Sequence, residues 1–272
     1  MSLFLAGSIS RYLHESTPNS LALRVLSRHR RVVNLMDEKG GMWAVVHPDV
    51  GNGPFHIVLA DAASFDGWEP GATGRWDGRA LMIRNGQVDA TAARVWDPFL
   101  ARTPMIIPDR SWELARACAS AILAASPPQA EMDARTWARL QEGVIRLGKA
   151  RRTGDETALL DAAGLLAGLG PGLTPAGDDV LLGWLARAWL GNNMDGTWAA
   201  GRLMDAVEGR TTRVSEAWLG HAAAGRFAEP WHDLRSALAR ADGEAICRTM
   251  SRIASIGATS GRLALLGAFP SP

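Results

Sequence analysis

The sequence predicts an α+β protein, in which a mostly antiparallel β domain over residues 1–105 precedes an all-helical domain over residues 106–272. Three observations carry this expectation. Between residues 21 and 95 apolar residues alternate with polar ones, the period of strands half-buried in a sheet. After Ser111 the apolar spacing becomes helical. Pro98, Pro104 and Pro108 punctuate the chain between the two regimes, where a domain boundary is expected.

In the first half the alternating runs are Leu21, Leu23 and Val25; Trp43, Val45 and His47; Phe55, Ile57 and Leu59; and Leu81 with Ile83. Arg84-Asn85-Gly86-Gln87 is a hairpin signal, because Asn-Gly accepts the positive backbone angles of a two-residue type I′ turn. Residues 66–78, DGWEPGATGRWDG, form a glycine-rich loop in which Trp68 and Trp76 either serve a lid or docking loop or pin it onto the sheet. His14, His29, His47 and His56 lack metal-ligand spacing and read as surface or satisfied strand histidines.

In the second half, Ser111 opens a helix that Ser126-Pro127-Pro128 ends. Trp137, Leu140, Val144 and Leu147 make a core stripe at helical spacing, and Leu159, Leu160, Ala163 and Leu166 make another. A helix running to Leu190 follows, then a break at Asn192-Asn193 and Asp195-Gly196, then a helix over about 197–208. Leu234, Leu238 and Ala241 mark one further helix, and Ile246, Met250, Ile253 and Ile256 the next.

A chain of 272 residues is long enough for two cores. Its 29 basic and 28 acidic residues leave a net charge of +1, which provides no electrostatic footprint for nucleic acid or an anionic membrane. Cys118 and Cys247 lie far apart on separate helices without CxxC spacing, which fits a reduced setting. Residues 1–6 are apolar but lack the basic flank and length of a signal peptide, and the run 180–190 is interrupted by Arg187 and too short to span a bilayer. A soluble cytoplasmic protein is expected.

The stretch richest in chemistry is 168–190, GLGPGLTPAGDDVLLGWLARAWL. Gly168 ends one helix in the left-handed conformation, and Gly170 and Gly172 carry a tight turn. Thr174 before Pro175 predicts a capped helix start with proline at the first helical position. Gly177, Asp178 and Asp179 then fall in the first turn, where backbone N–H groups and the helix dipole form a possible anion cradle. The two carboxylates would oppose a bare phosphate unless a divalent cation at Asp178 and Asp179, an arginine or the substrate's own N–H groups neutralise them; the alternative is that they merely complement the dipole. Thr211, Thr212, Arg213 and Ser215 repeat the pattern of hydroxyls and a cation at a helix start, and Thr259, Ser260 and Gly261 repeat it again. No GxSxG elbow, HExxH or Walker loop is present, and GLGPG sits between helices rather than after a strand, which excludes a dinucleotide loop.

GLGPGLTPAGDD, the downstream TTRVS and GATSG elements, and the upstream RRVVNLMD and GPFHIVLA segments resemble a bacterial family that includes the small subunit of a multi-component oxamate carbamoyltransferase of anaerobic allantoin degradation. In the last element the family often carries a histidine and an acid where this chain has Ala258 and Leu263. The resemblance implies a subunit active with partner proteins in purine catabolism, interconverting oxamate and carbamoyl phosphate with oxalurate and phosphate. For such chemistry the sequence offers Asp178, Asp179 and Arg213 as catalytic candidates and Gly170, Gly172, Thr174, Gly177, Thr211, Thr212, Ser215, Thr259, Ser260 and Gly261 for binding a small anionic substrate such as carbamoyl phosphate. The alternative is a non-catalytic module that binds a small anion or nucleotide and regulates or scaffolds partner enzymes.

Overall fold

The computed structural model describes residues 2–16, 20–84, 86–100, 105–191 and 196–270. The chain divides into two compact units, Met1–Pro98 and Phe99–Pro272.

The first unit contains β1 (Ser2–Ser10), a short helix α1 (Arg11–Ser16), β2 (Leu21–Arg28), β3 (Val32–Asp37), β4 (Met42–Val46), β5 (His56–Leu59), β6 (Thr73–Trp76), β7 (Ala80–Ile83), β8 (Gly86–Asp89) and β9 (Arg94–Trp96). The sheet order is β5-β4-β3-β2-β6-β7-β8-β1-β9, and pairing of β1 with β5 closes the first eight into a barrel. Leu21, Leu23 and Val25 alternate inward as the period-two pattern requires, and Val33, Leu35, Val45, Ile57, Leu81 and Val88 fill the interior. The sheet is mixed, because β4–β5, β1–β8 and β1–β9 run parallel while the remaining pairs are antiparallel.

Two local expectations change. Ile83 pairs with Gly86, so the two-residue turn of this hairpin begins one position earlier than Asn-Gly, at Arg84 (φ 21°); Asn85 lies outside the described residues. Gly86 instead admits the Trp68 indole, whose Nε1 would stand 2.7 Å from an added Cβ. Part of the loop over 66–78 is strand β6, and Trp68 and Trp76 are both buried, so the indoles pin this segment to the barrel.

The second unit is helical: α2 (Asp109–Ala125), a 3-10 turn (Pro128–Glu131), α3 (Ala134–Thr153), α4 (Glu156–Leu166), α5 (Ala176–Leu190), α6 (Gly196–Val207), α7 (Arg213–Ala223), α8 (Glu229–Arg240), α9 (Gly243–Ala254) and α10 (Ser260–Ala268). Pro108 is the N-cap of α2; Pro104 and the expected break at Asn192, Asn193 and Asp195 lie outside the described residues. Leu140 and Leu147 of the α3 stripe are buried, with Trp137 and Val144 packed partly buried beside them. Helix α5 is buried on nearly all sides, as its continuous apolar sequence demands. It crosses α10 with the two backbones in contact: a Cβ on Gly183 would lie 1.8 Å from the Ala264 carbonyl oxygen.

The expectation that the two cysteines lie apart is corrected. Helices α2 and α9 pack together, bringing Cys118 and Cys247 to a Cα separation of 5.4 Å, and their sulfurs are bonded as a disulfide. Among the described residues, no helix is long and apolar enough to cross a membrane.

Candidate functional site

Helix α4 ends at Leu166, and Gly168 (φ 68°) turns the chain left-handed, as the sequence anticipates. Gly170 (φ 106°) and Gly172 (φ 98°) carry the turn that follows. The start of α5 differs from the expected cap. Pro175 is the N-cap, without a side-chain bond, while the Thr174 hydroxyl reaches across to Ser260 Oγ at 3.0 Å. The anion cradle is corrected as well, because the chain itself takes the N–H groups. Gly177 N–H donates to the Leu169 carbonyl at 2.9 Å, and those of Asp178 and Asp179 donate to the Pro175 carbonyl at 3.0 and 3.2 Å. Gly177 is glycine because the Leu166 carbonyl oxygen would lie 2.0 Å from a Cβ there.

The two aspartates differ in their surroundings. Asp178 is 1% exposed, and its carboxylate is fully engaged. Oδ1 accepts from Gly168 N–H at 2.9 Å, and Oδ2 accepts from the Thr211 hydroxyl and from Ser215 Oγ at 2.8 Å. One carboxylate therefore ties the glycine turn to the start of α7. Burial raises its pKa, and the three donors work against that rise.

Asp179 is 7% exposed, and its Oδ2 is buried with no hydrogen-bond partner. Burial raises this carboxyl well above the ordinary 3.8; the hydrogen bond from Ser260 opposes the rise and the charge of Asp178 adds to it. Thr174 Oγ1 and Ser260 Oγ lie 3.0 Å apart, and the Ser260 hydroxyl favours the ionised form of Asp179, which places it beside that carboxyl. Thr174, Ser260 and Asp179 thus line up as a polar relay that ends on a carboxyl oxygen without a hydrogen-bond partner. Thr174 and Ser260 are half-buried, so the relay opens toward solvent at its hydroxyl end.

The structure thus brings the starts of α5, α7 and α10 together, on two sides of the aspartate pair. Thr212 caps α7 by accepting from Ser215 N–H at 3.1 Å, and its hydroxyl donates to the Leu173 carbonyl. The Arg213 side chain is 78% exposed and pairs with Glu216 at 3.3 Å on its own helix. Thr259 is the N-cap of α10 without a side-chain bond. Gly261 serves close packing, with the Ile253 carbonyl oxygen 1.8 Å from an added Cβ.

Sequence reasoning missed Arg262. It is 9% exposed and binds the Ala258 carbonyl, Ser126 and Glu131, fixing the loop that carries Ser260. The available signal was a cation in the first turn of a helix, which the dipole disfavours unless other partners hold it. Among the described residues, no group of three His, Cys, Asp or Glu side chains gathers as a metal site. The Asp178 oxygens already face three donors, so the pair does not fit a shared divalent cation. A separate cleft of about 600 Å³ in the β unit, lined in part by Arg28, His29, Arg30 and His47, shares no residue with the glycine-aspartate stretch.

A closed β-barrel followed by helices whose starts enclose buried carboxyls defines an α+β protein with its polar cluster in the helical part. Residues 5–95 match the AllH family N-terminal domain, and residues 166–270 match the oxamate carbamoyltransferase subunit AllH. The matched stretches together span most of the chain, and the chain belongs to the AllH family of carbamoyltransferase subunits of allantoin catabolism. Membership of a subunit family implies partner subunits in the carbamoyltransferase complex. No solved structure matches the chain.

Proposed function

We propose that Thr174, Ser260 and Asp179 form the part of the carbamoyltransferase that meets the carbamoyl group, and that Asp178 builds this site without touching substrate. The observation that carries this reading is the Asp179 Oδ2 atom, buried and without a partner beside two half-buried hydroxyls. An unpaired buried oxygen costs free energy, and such costs are retained where a ligand satisfies the atom.

Asp179 acts as a neutral acid. Burial favours the protonated carboxyl, and Oδ2, which has no partner in the chain, is the oxygen that presents that proton to the carbamoyl oxygen. In the transfer, the oxamate nitrogen forms a bond to the carbamoyl carbon of carbamoyl phosphate, and the bond from that carbon to the phosphate oxygen breaks. The proton lost by nitrogen ends on the released phosphate. Negative charge grows on the carbamoyl oxygen as the nitrogen attacks, and a donor placed there is worth about 3 kcal/mol in a water-excluded site. Partner subunits complete the site with the cations that hold the phosphate.

The test is reconstitution of the assembly with Asp179→Asn or Ser260→Ala and assay of oxamate carbamoylation. The expected result is a rate lower by roughly 100-fold for Asp179→Asn, with an assembled complex and a retained melting temperature. Rates within two-fold of wild type for both variants would contradict the reading.

A further inference from the structure

The helical unit contains a second cluster, with charge of the opposite sign. Arg187 of α5 lies with its guanidinium carbon 3.6 Å from the ring centroid of Trp112 on α2. Arg116 follows Trp112 by one turn of α2, on the same face. Trp184 precedes Arg187 by three residues on α5, and Arg151 of α3 places its guanidinium 5.2 Å from the Trp184 ring centroid while donating to the Trp184 carbonyl at 2.9 Å. Three arginines and two indoles from three helices therefore form one continuous patch. Arg187 is eight residues beyond Asp179, about 12 Å along the axis of α5, so the patch is distinct from the aspartate relay.

These arginines are gathered on neighbouring helices and rings without a carboxylate among them in the described residues. Elsewhere in this unit Arg146 pairs with Glu142, Arg202 with Glu156, Arg252 with Asp233 and Arg262 with Glu131. Among the described residues, none of Arg116, Arg151 and Arg187 is paired with a carboxylate. Arg151 stays in contact with solvent, yet protein crowds its head enough that burial, then the neighbouring Arg187, lowers its pKa to about 9. Burial and then Arg116 lower Arg187 to about 10. The Nε1–H of Trp184 is a further donor, buried and without an acceptor. Arg116 and Arg151 are exposed and Arg187 is half-buried, so the three guanidiniums open to solvent, and a set of gathered donors without a carboxylate is complementary to a multiply charged anion.

We propose that Arg116, Arg151 and Arg187, backed by Trp112 and Trp184, bind a small dianion of the phosphate class at a site separate from the aspartate relay. The bound anion places negative charge between cations that otherwise repel one another, and guanidinium forks match its oxygens. This inference is independent of the role proposed for Asp179.

The experiment uses inorganic phosphate as the probe and the full chain. Melting temperature is followed against phosphate, with chloride at matched ionic strength as the reference. The expected result is a saturable rise with phosphate over chloride, at least ten-fold weaker in apparent affinity for Arg151→Gln and Arg187→Gln and unchanged for Arg248→Gln, whose arginine pairs with Glu244 on the surface of α9. Arg116→Gln, at the exposed edge, tests the same site without disturbing a ring contact and is expected to weaken phosphate several-fold. Absence of a saturable rise in wild type, or a rise of equal affinity in the Arg116, Arg151 and Arg187 variants, overturns the proposal.

Discussion

At the start of α5, Asp178 accepts three hydrogen bonds, while Asp179 leaves one buried oxygen without a donor. Removing the Asp178 carboxylate strands the Gly168 N–H and two hydroxyls, each costing about 1–3 kcal/mol when buried and unpaired. Asp178→Ala is therefore expected to lose about 3 kcal/mol or more in a denaturant titration; a loss under about 1 kcal/mol would show that the tie is not structural. Asp179→Asn should behave in the opposite way. A carboxyl whose folded pKa is raised binds its proton more tightly in the folded chain, so wild-type stability falls as pH rises from the ordinary 3.8 toward the folded value. The amide does not ionise, so the melting temperature of Asp179→Asn relative to wild type should climb over that interval, and a constant difference would count against it. His56 has the other sign. Burial lowers it from 6.5 to about 4, so between those values the unfolded chain takes up a proton that the folded chain refuses, and stability falls as pH drops. His56→Gln should flatten that limb of the stability profile. None of this division between the aspartates was legible in GDD, because their partners Thr211, Ser215 and Ser260 arrive from elements far along the chain.

At the scale of elements, the approach of α5 and α10 rests on residues without side chains. An alanine methyl at Gly183 would drive into the Ala264 carbonyl oxygen at 1.8 Å, and one at Gly267 would meet the Val180 carbonyl oxygen at 2.0 Å. Gly183→Ala is expected to destabilise by about 3 kcal/mol as the helices separate, and an unperturbed melting curve would contradict the close crossing. Strand β2 and the Leu81-Met82-Ile83 part of β7 were legible because one face is buried and the other is wet. Strand β1 was not, since a register shift between Ala6 and Ser8 breaks its period. Strand β6 buries only Trp76, too little for a pattern. Strand direction was also hidden, because parallel and antiparallel neighbours impose the same alternation on side chains. The helical stripes read well, since each buries one face against a common core.

For the whole molecule, the change from period two to helical period marks the passage from a closed barrel to a helical unit, and the AllH matches fall on those two parts. The disulfide was not legible, because Cys118 and Cys247 are 129 residues apart and meet only through the packing of α2 on α9. A subunit whose cluster lacks a base and phosphate-holding cations should not turn over by itself. The isolated chain is accordingly expected to carry no carbamoyl from carbamoyl phosphate to oxamate, and robust turnover without partners would overturn that division of labour. The proposed role of Asp179 requires a buried carboxyl that keeps its proton. Carbon-13 NMR of carboxyl-labelled aspartate, with Asp179→Asn to assign the signal, measures this directly. The Asp179 resonance should titrate well above 3.8; an Asp179 signal that titrates at or below that ordinary value would rule out the neutral carboxyl.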